Sequence, residues 1–278
     1  MGNLIQMRQS EVNAGLEALA SHGVRPEHWD FLCDPQFGGE LAAFWTSRGG
    51  QKFVSFDEAA RIMGNQIWGP EDWLKLPGVK ARLTDRQLEF AGRFPWGPEI
   101  LNNSCDFRKG QLVKQTHFAF FGPERIGKQK TTILQFQKWF PNNGQPRFAS
   151  YALESWYASD PSANKTTLRF RWYLLLIDAV PGSVGLSLEA QQALLPAEYE
   201  APNCVEEVAK DLFVIRKTGI FPNPSVYARC ADSSANGSRL SAGRCDRDGV
   251  VICCWLGHAY PNVGLAASRK VPSRILNS

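Results

Sequence analysis

One stretch of the chain has the residue types of a phosphate-binding loop. The run Gly122-Pro-Glu-Arg-Ile-Gly127-Lys128 follows an apolar segment and ends in Gly-Lys, as do loops that hold nucleotide phosphates. Such a loop also requires Ser or Thr after the Lys to hold Mg²⁺, and it leads into a helix. Here Gln129 follows, and the next residues have the composition of a strand. We therefore predict a polar hairpin turn, with a nucleotide-binding signalling protein that uses 122–128 as an alternative.

Four residues nearer the end of the chain have side chains suited to metal or thiol chemistry: Cys245, Cys253, Cys254 and His258. Their spacing matches no standard zinc site, and neighbouring strand residues point to opposite faces, which opposes shared ligation. Nothing marks one cysteine as a nucleophile with a histidine as its base. We therefore predict no catalytic residues, no metal and no cofactor. Because seven cysteines is an odd number, we expect free thiols.

The same part of the chain lacks several common surface residues. Residues 230–268 contain no Lys, Glu, Gln or Met. The preceding 229 residues contain 11 Lys, 15 Glu and 14 Gln, and at that frequency 39 residues would contain about seven of the three types together. These residues normally dominate exposed loops and strands, so their absence needs a cause other than chance.

The genetic code supplies one such cause. Asn is encoded by AAC or AAT, and randomising the two adenines while keeping the final pyrimidine never gives Lys, Glu, Gln, Met or Trp. The composition of 230–268, with Trp255 as its one exception, is what this process would leave. The competing explanation is a buried strand region that excludes charge by simple hydrophobicity.

This region resembles the variable end of proteins diversified by retroelements. In the members that look like sulfatase-modifying factors, a Ser-Ala-x-Arg turn precedes a Gly-Φ-x-x-x-Arg strand. The matching residues here are Ser241-Ala242-Gly243-Arg244 and Gly264 to Arg269. A longer stretch, from about Ala60 to Lys270, also resembles a set of uncharacterised bacterial proteins in which a strand led by Trp172 precedes Pro-Gly-Ser.

The resemblance implies a C-type-lectin-like fold in which the first and last strands pair, bringing 168–177 beside 263–270. Its role would be to hold one face, about 230–262, rigid while exposed positions vary. Val250 and Ile252 would then face the core, and alternate residues would face a ligand. The predicted ligand-binding residues are Ser233, Asn236, Arg244, Arg247, Asp248, Val251, Cys253, Cys254, Leu256, His258 and Tyr260. The ligand is expected to be a protein, and an oxidoreductase of the sulfatase-modifying type on the same fold is the alternative.

The elements that must position these residues follow an α+β order. Helices are expected over 11–22, over 56–63 after the Ser55–Glu58 capping box and over the segment after Thr84, which is followed by Gln87 three residues later. Residues 114–121 and 131–140 have strand composition. A buried strand over 168–177 is followed by helices over 188–195 and 204–217 and by short strands.

We divide the chain into a mainly helical module of unknown role (1–140) that ends in two strands, a linker (141–167) and a C-type-lectin-like variable domain (168–278). The net charge of +4 is modest, and no block of like charge points to nucleic acid or an anionic membrane. The longest wholly apolar run, 172–177, is too short to cross a bilayer, and no signal peptide is visible. We expect a cytoplasmic protein of unknown oligomeric state.

Overall fold

The computed structural model of the chain describes residues 53–141, 144–149 and 158–271. Contacts within the chain separate Met1–Lys52 from Phe53–Ser278 as two compact units. The helix expected over 11–22, and with it the first part of the predicted N-terminal module, lies outside the described residues.

Helices and strands are mixed along the described chain, which has an α+β fold. The α-helices are α1 (Phe56–Met63), α2 (Asp85–Ala91), α3 (Pro98–Leu101), α4 (Val113–Thr116), α5 (Ile133–Trp139), α6 (Pro161–Asn164), α7 (Leu188–Gln192) and α8 (Cys204–Thr218). The 3-10 helices are Gly64–Gln66 and Pro70–Lys75. The strands are β1 (Val54–Ser55), β2 (Ile67–Trp68), β3 (Arg93–Phe94), β4 (His117–Gly122), β5 (Arg125–Ile126), β6 (Gln129–Lys130), β7 (Arg171–Leu176), β8 (Tyr199–Glu200), β9 (Tyr227–Ser233), β10 (Arg239–Asp246), β11 (Gly249–Trp255), β12 (Val263–Leu265) and β13 (Ser268–Arg269).

Several helices begin and end where the sequence predicts. The Ser55 hydroxyl accepts a hydrogen bond from Glu58 N at 3.2 Å at the start of α1. Thr84 Oγ1 accepts from Gln87 N at 3.3 Å at the start of α2, and Gln87 Oε1 accepts from Thr84 N at 2.9 Å. These bonds satisfy backbone N–H groups that have no partner within the helix. Helix α8 ends at Gly219, whose left-handed φ of 72° is accessible to glycine at little cost.

A five-stranded sheet has the order β2-β4-β7-β13-β8. Strand β7 lies at its centre, where Leu175 pairs with Phe118 of β4 on one side and with Ser268 of β13 on the other. The predicted pairing of 168–177 with 263–270 is therefore confirmed at Ser268. Residues Val263–Leu265 lie in another sheet, because the chain changes sheets between β12 and β13.

A four-stranded sheet has the order β11-β10-β9-β12, with β12 parallel to β9 and the other pairs antiparallel. Gly264 of β12 lies so close to neighbouring side chains that an added Cβ would be 2.9 Å from both Ala179 Cβ and Ser183 Oγ. The Gly of the Gly-Φ-x-x-x-Arg pattern thus has a packing role, because any side chain would displace the loop after β7.

Helix α8 joins the two sheets, since it contacts β2 and β4 of one and β9 and β10 of the other. Its Phe213 stacks on Trp68 at a centroid distance of 4.3 Å, within a group of buried aromatic rings. The five-stranded sheet also contains strands from both sides of 141–167. The predicted domain boundary in that segment is therefore wrong, because a single core spans it.

Charged groups are also buried along α8. Lys210 Nζ lies 2.7 Å from Glu207 Oε1 and 2.8 Å from Asp211 Oδ1, and it donates to Ile177 O at 2.6 Å. In the five-stranded sheet His117 is fully buried, with Nε2 3.2 Å from the Tyr199 hydroxyl. These groups are ionisable and shielded from water, so their protonation is linked to folding.

The strand predicted over 131–140 is wrong. Residues 133–139 form α5, with the Thr132 hydroxyl accepting from Gln135 N at its start and with Ile133, Phe136 and Trp139 buried. This spacing of three buries one face of a helix, although the residue types individually favour strands.

The expectation of a polar hairpin at the phosphate-loop-like segment is confirmed, because Arg125 pairs with Lys130 across the β5–β6 turn.

The Ser241–Arg244 segment, expected as a turn, is part of strand β10. The backbone there is irregular, with φ of 137° at Gly243 and 44° at Arg244, and the register with β11 shifts between Gly243 and Asp246. It is a bulged strand and not a connection between strands.

Among the described residues, no helix combines the length and apolar character needed to cross a membrane.

Candidate ligand-binding face

Strands β9, β10 and β11 bring the region without Lys, Glu and Gln into one sheet. Gly243 of β10 pairs with Tyr227 of β9 and with Val251 of β11. Two residues earlier, Ser241 pairs with Arg229 and with Cys253, and Arg239 pairs with Ser233 and with Trp255. Cross-strand partners share a face and every second residue returns to it, so these residues lie on one side of the sheet. This side and the adjoining loops are called the variable face below.

Three aromatic rings lie together on the variable face. The Trp255 ring is 6.0 Å from the Tyr227 ring and 4.7 Å from the Tyr260 ring, between centroids. The Arg244 guanidinium lies 5.7 Å from the Tyr227 centroid, and Trp255 Nε1 donates to Cys253 Sγ at 2.7 Å. Trp255 and Tyr260 are half-buried while Arg244 is exposed, so a partner can reach this group of rings.

Most of the predicted ligand-binding residues are accessible. The exposed ones are Ser233, Asn236, Arg244, Arg247, Asp248, Leu256 and His258, and the half-buried ones are Cys253, Cys254 and Tyr260. Burial therefore does not explain the missing Lys, Glu and Gln at the exposed positions. Cys254 pairs with the buried Leu240, so it lies on the side of the sheet opposite Cys253.

Val251 is only 4% exposed, and its prediction as a ligand-contacting residue is wrong. Val251 points to the predicted side of β11, but β11 is not an open edge of the sheet at this point. Phe148 forms a parallel bridge with Val250, and Ala149 N donates to Val250 O at 3.1 Å. The chain at 147–149 thus covers the start of β11, whereas its end at Trp255 remains partly open.

A buried arginine fixes the loop after β11. Arg229 is fully buried, and it donates from Nη1 to Gln191 Oε1 at 2.7 Å and from Nη2 to His258 O at 2.9 Å. Gln191 Nε2 donates in turn to Ser183 O at 2.9 Å and to Val263 O at 3.0 Å. This network links β9, α7 and the loop after β11. It contacts His258 only at its carbonyl oxygen, so the His258 side chain remains exposed.

The hairpin between β10 and β11 is held in the same manner. Asp246 Oδ1 accepts from Asp248 N at 2.8 Å, which closes the turn. The carbonyl oxygen of Arg247 accepts from Gln145 Nε2 at 2.6 Å and from Arg147 Nη2 at 2.8 Å. The Arg247 side chain is exposed, so the turn is fixed by Asp246, by the backbone oxygen of Arg247 and by side chains from outside 230–262.

The hairpin between β9 and β10 depends partly on its own side chains. Asp160 Oδ2 accepts from Ala235 N at 2.8 Å. Burial opposes ionisation of Asp160, but hydrogen bonds from Ala235 and Ser162 outweigh it and lower the pKa of this carboxyl. Asn236 Oδ1 accepts from the Ser234 hydroxyl at 2.5 Å and from Ser238 N at 3.1 Å, so Asn236 has a role in the turn itself.

The thiols near the variable face are in their neutral form at ordinary pH. Burial raises the pKa of Cys230, Cys245 and Cys253, and the hydrogen bond from Trp255 to Cys253 only partly offsets the effect there. A nucleophilic or metal-binding cysteine requires the thiolate. In the part of the chain that the structure describes, no three His, Cys, Asp or Glu side chains are grouped as a metal site.

Sequence reasoning missed Tyr227, Arg229 and Trp255. Tyr227 and Arg229 precede the region that lacks Lys, Glu and Gln, and Trp255 was set aside as its exception. The alternation of Leu240 and Ala242 with polar neighbours is the pattern from which β10 could have been found. With β10 in place, its pairing with β9 brings Tyr227 onto the variable face.

Comparison with protein-family models, with curated proteins and with solved structures found no match for the chain.

Proposed function

We propose that this chain is a non-enzymatic binding protein that recognises a protein ligand with its variable face. The side chains on this face are diversified by a retroelement, and the strands beneath them form a C-type-lectin-like scaffold. The binding residues are the exposed predicted ones together with the half-buried Trp255 and Tyr260.

The observation that carries the proposal is the separation of the loops' anchors from their exposed side chains. The loops are held at Arg247 O and His258 O by Arg147, Gln145 and Arg229, none of which lies within 230–262. Every residue has a carbonyl oxygen, so these anchors survive a change of side chain. A face that must present many sequences on one backbone requires anchors of this kind.

The path of the chain supports a lectin-like scaffold. Strand β13 pairs with β7, which places the end of the region beside its beginning. Arg269, the last residue of the Gly-Φ-x-x-x-Arg pattern, donates to Asp106 Oδ2 at 3.2 Å and to the Tyr199 hydroxyl at 3.1 Å. The pattern's two ends, Gly264 and Arg269, thus both contribute to the scaffold, as the proposal requires of residues that follow the diversified loops.

The chemistry of the variable face favours a protein ligand. Aromatic and Arg side chains on a rigid frame provide most of the binding energy in many protein interfaces. Charges of both signs are present, with Arg244 and Arg247 beside Asp246 and Asp248, so the face lacks the continuous positive charge that nucleic-acid backbones require. An oxidoreductase of the sulfatase-modifying type would need a reactive thiolate, which the raised pKa values of the cysteines disfavour.

Sequencing the gene and its flanking DNA in independent isolates tests the proposal. We expect amino-acid differences to be confined to about 230–262 and to fall mainly at exposed positions such as Arg247, Leu256 and His258. The flanking DNA should contain a reverse transcriptase and a near-identical repeat with adenines at the variable codons. Differences spread evenly over 53–271, with no such repeat, would contradict the diversification.

Display of a library randomised at those exposed positions tests binding separately. Selection against a panel of unrelated folded proteins should yield binders whose affinity is lost when Trp255 is replaced by Ala. A library that folds but never yields a binder would count against the face, even if the gene is diversified.

A further inference from the structure

A cavity of about 380 Å³ lies outside the variable face and shares no residue with it. It is formed between the start of α2, the β5–β6 hairpin and the residue before β7. Its walls consist of Arg82, Thr84, Arg86, Gln87, Glu124, Arg125, Gly127 and Phe170. This volume lies in the range of cavities that hold small molecules.

Three of the lining side chains are arginines, and one is a carboxylate. None of Arg82, Arg86 and Arg125 forms an ion pair within the described residues. Arg86 lies with its guanidinium 5.9 Å from the Phe170 ring centroid, which holds it against an apolar surface. The cavity therefore has an excess of positive charge that no described side chain neutralises.

The walls of the cavity are fixed by hydrogen bonds. Gln87 Nε2 donates to Arg125 O at 2.9 Å and so links α2 to β5. Thr131 Oγ1 donates to Glu124 O at 3.0 Å on the other side of the hairpin. Gly127 has a φ of 57°, and a Cβ there would lie 2.6 Å from Ala81 Cβ. The three arginines thus extend from a backbone that is already in place, which reduces the entropy lost on binding.

We propose that this cavity binds a small phosphate ester, with Arg82, Arg86 and Arg125 around the phosphate group and Glu124 accepting a hydrogen bond from a hydroxyl of the ligand. Guanidinium groups match phosphate oxygens in pairs, and three of them suit a group with more than one negative charge. Sugar phosphates and nucleotides share this chemistry and fit the volume.

The proposed site differs from a phosphate-binding loop. Lys128 would be the essential residue of such a loop, but here it is an exposed residue in the β5–β6 turn and does not line the cavity. Lys128→Gln is therefore a matched control for Arg125→Gln, because both remove one positive charge from the same hairpin.

Titration calorimetry at constant ionic strength tests the proposal with inorganic phosphate, ribose 5-phosphate and AMP, and with chloride as the blank. We expect saturable binding of at least one ester that is tighter than that of inorganic phosphate. Arg86→Gln and Arg125→Gln should each weaken it about tenfold or more, since hydrogen bonds to charged groups contribute that much. Lys128→Gln should change it by less than about threefold, through screened long-range charge alone.

Circular dichroism melting of each variant establishes that it is folded, and Arg86→Lys, which keeps the charge, should bind more tightly than Arg86→Gln. The proposal is overturned if neither ester binds, or if inorganic phosphate binds as tightly as both esters. It is equally overturned if Lys128→Gln loses as much affinity as Arg125→Gln, because the ligand would then be held by the turn and not by the cavity.

Discussion

Arg229 is a cation enclosed by the protein without an ion pair among the described residues. Burial lowers the pKa of its guanidinium, and two hydrogen bonds, to Gln191 and to His258 O, compensate for lost water. A buried charge of this kind is costly unless hydrogen-bonded, so its presence beneath the variable face indicates a specific positioning role.

Replacing Arg229 by Ala should destabilise the protein by about 2–4 kcal/mol, because Gln191 Oε1 and His258 O would lose their donor in the interior. The matched change Arg247→Ala removes an exposed guanidinium and should alter stability by less than about 0.5 kcal/mol. Urea denaturation of both variants measures the difference. Equal effects would mean that Arg229 does not anchor the loop.

Two buried titratable residues make opposite contributions to the pH dependence of stability. Burial lowers the pKa of His117 from 6.5 to about 3, so between these values the unfolded chain binds a proton that the folded protein does not, and stability rises with pH. Burial raises the pKa of Glu207 from 4.5 to about 8, aided by Asp211 and opposed by Lys210. Over that range the folded protein holds the proton, and stability falls as pH rises.

The two contributions oppose each other between pH 4.5 and 6.5, so the wild type should be most stable there and should lose stability from pH 6.5 to 8, at up to about 1.4 kcal/mol per pH unit. Glu207→Gln should abolish the fall above pH 6.5, whereas His117→Gln should extend it down to pH 4.5. Urea denaturation at half-unit intervals measures both, with the exposed Glu189→Gln as control. A fall above pH 6.5 that persists in Glu207→Gln would contradict this assignment.

At the scale of elements, the bulge in β10 decides where the variable face turns from strand to hairpin. Gly243 has a φ of 137°, and a Cβ there would lie 2.6 Å from Val226 O. The bulge moves Arg244 out of the register so that it is exposed beside Tyr227.

Gly243→Ala should therefore cost about 3 kcal/mol or more, from backbone strain together with overlap with a carbonyl that cannot move. Gly237 is a matched control, since its φ of 82° is also positive but an added Cβ would meet nothing within 4 Å. Gly237→Ala should cost only about 1–2 kcal/mol, the strain of a left-handed conformation alone. Thermal and urea denaturation compare the two; similar losses would show that the bulge is adaptable.

Elements whose ends carry local chemistry could be predicted from the sequence, and those fixed by distant contacts could not. Ser55 and Thr84 mark helix starts because the capping bonds lie within four residues. Helix α5 was not predicted because its residue types favour a strand, whereas the spacing of its apolar residues favours a helix. Burial of Ile133, Phe136 and Trp139 against the core stabilises the helix. Strand β10 was missed because Gly and Ser are poor strand formers outside a sheet that supplies partners on both sides.

For the whole molecule, exposed residues of the variable face should be replaceable together. The variant with Ser at Arg247, Asp248, Leu256 and His258 should melt like the wild type, within about 1 kcal/mol, because these side chains are exposed and their loops are held by backbone atoms. Trp172→Ala removes a ring buried at 1% exposure and should cost about 3–5 kcal/mol. A fourfold variant that unfolds as easily as Trp172→Ala would show that these residues are structural.

The candidate site was predictable in part. The amino-acid composition identified the region 230–268 and its exposed loops, because the absence of Lys, Glu and Gln can be seen in the sequence alone. Val251 was wrongly expected to be exposed, because its burial depends on the chain at 147–149, which lies beside it only in the fold. Of the arginine-lined cavity the sequence points only to Glu124, Arg125 and Gly127, which lie in the run that resembles a phosphate-binding loop; the other lining residues come from segments that meet this run only in the fold.

Strand β13 lies inside the five-stranded sheet, between β7 and β8, although it is the last strand of the described chain to be synthesised. The sheet therefore cannot be completed on the ribosome until residue 269 has been added. A frameshift anywhere in 230–262 would also replace β12 and β13, leaving β7 and β8 without the strand that joins them. Folding thus acts as a check on the reading frame: if the region is diversified as we propose, exposed residues can be substituted, but a copy that gains or loses a base cannot produce the folded protein.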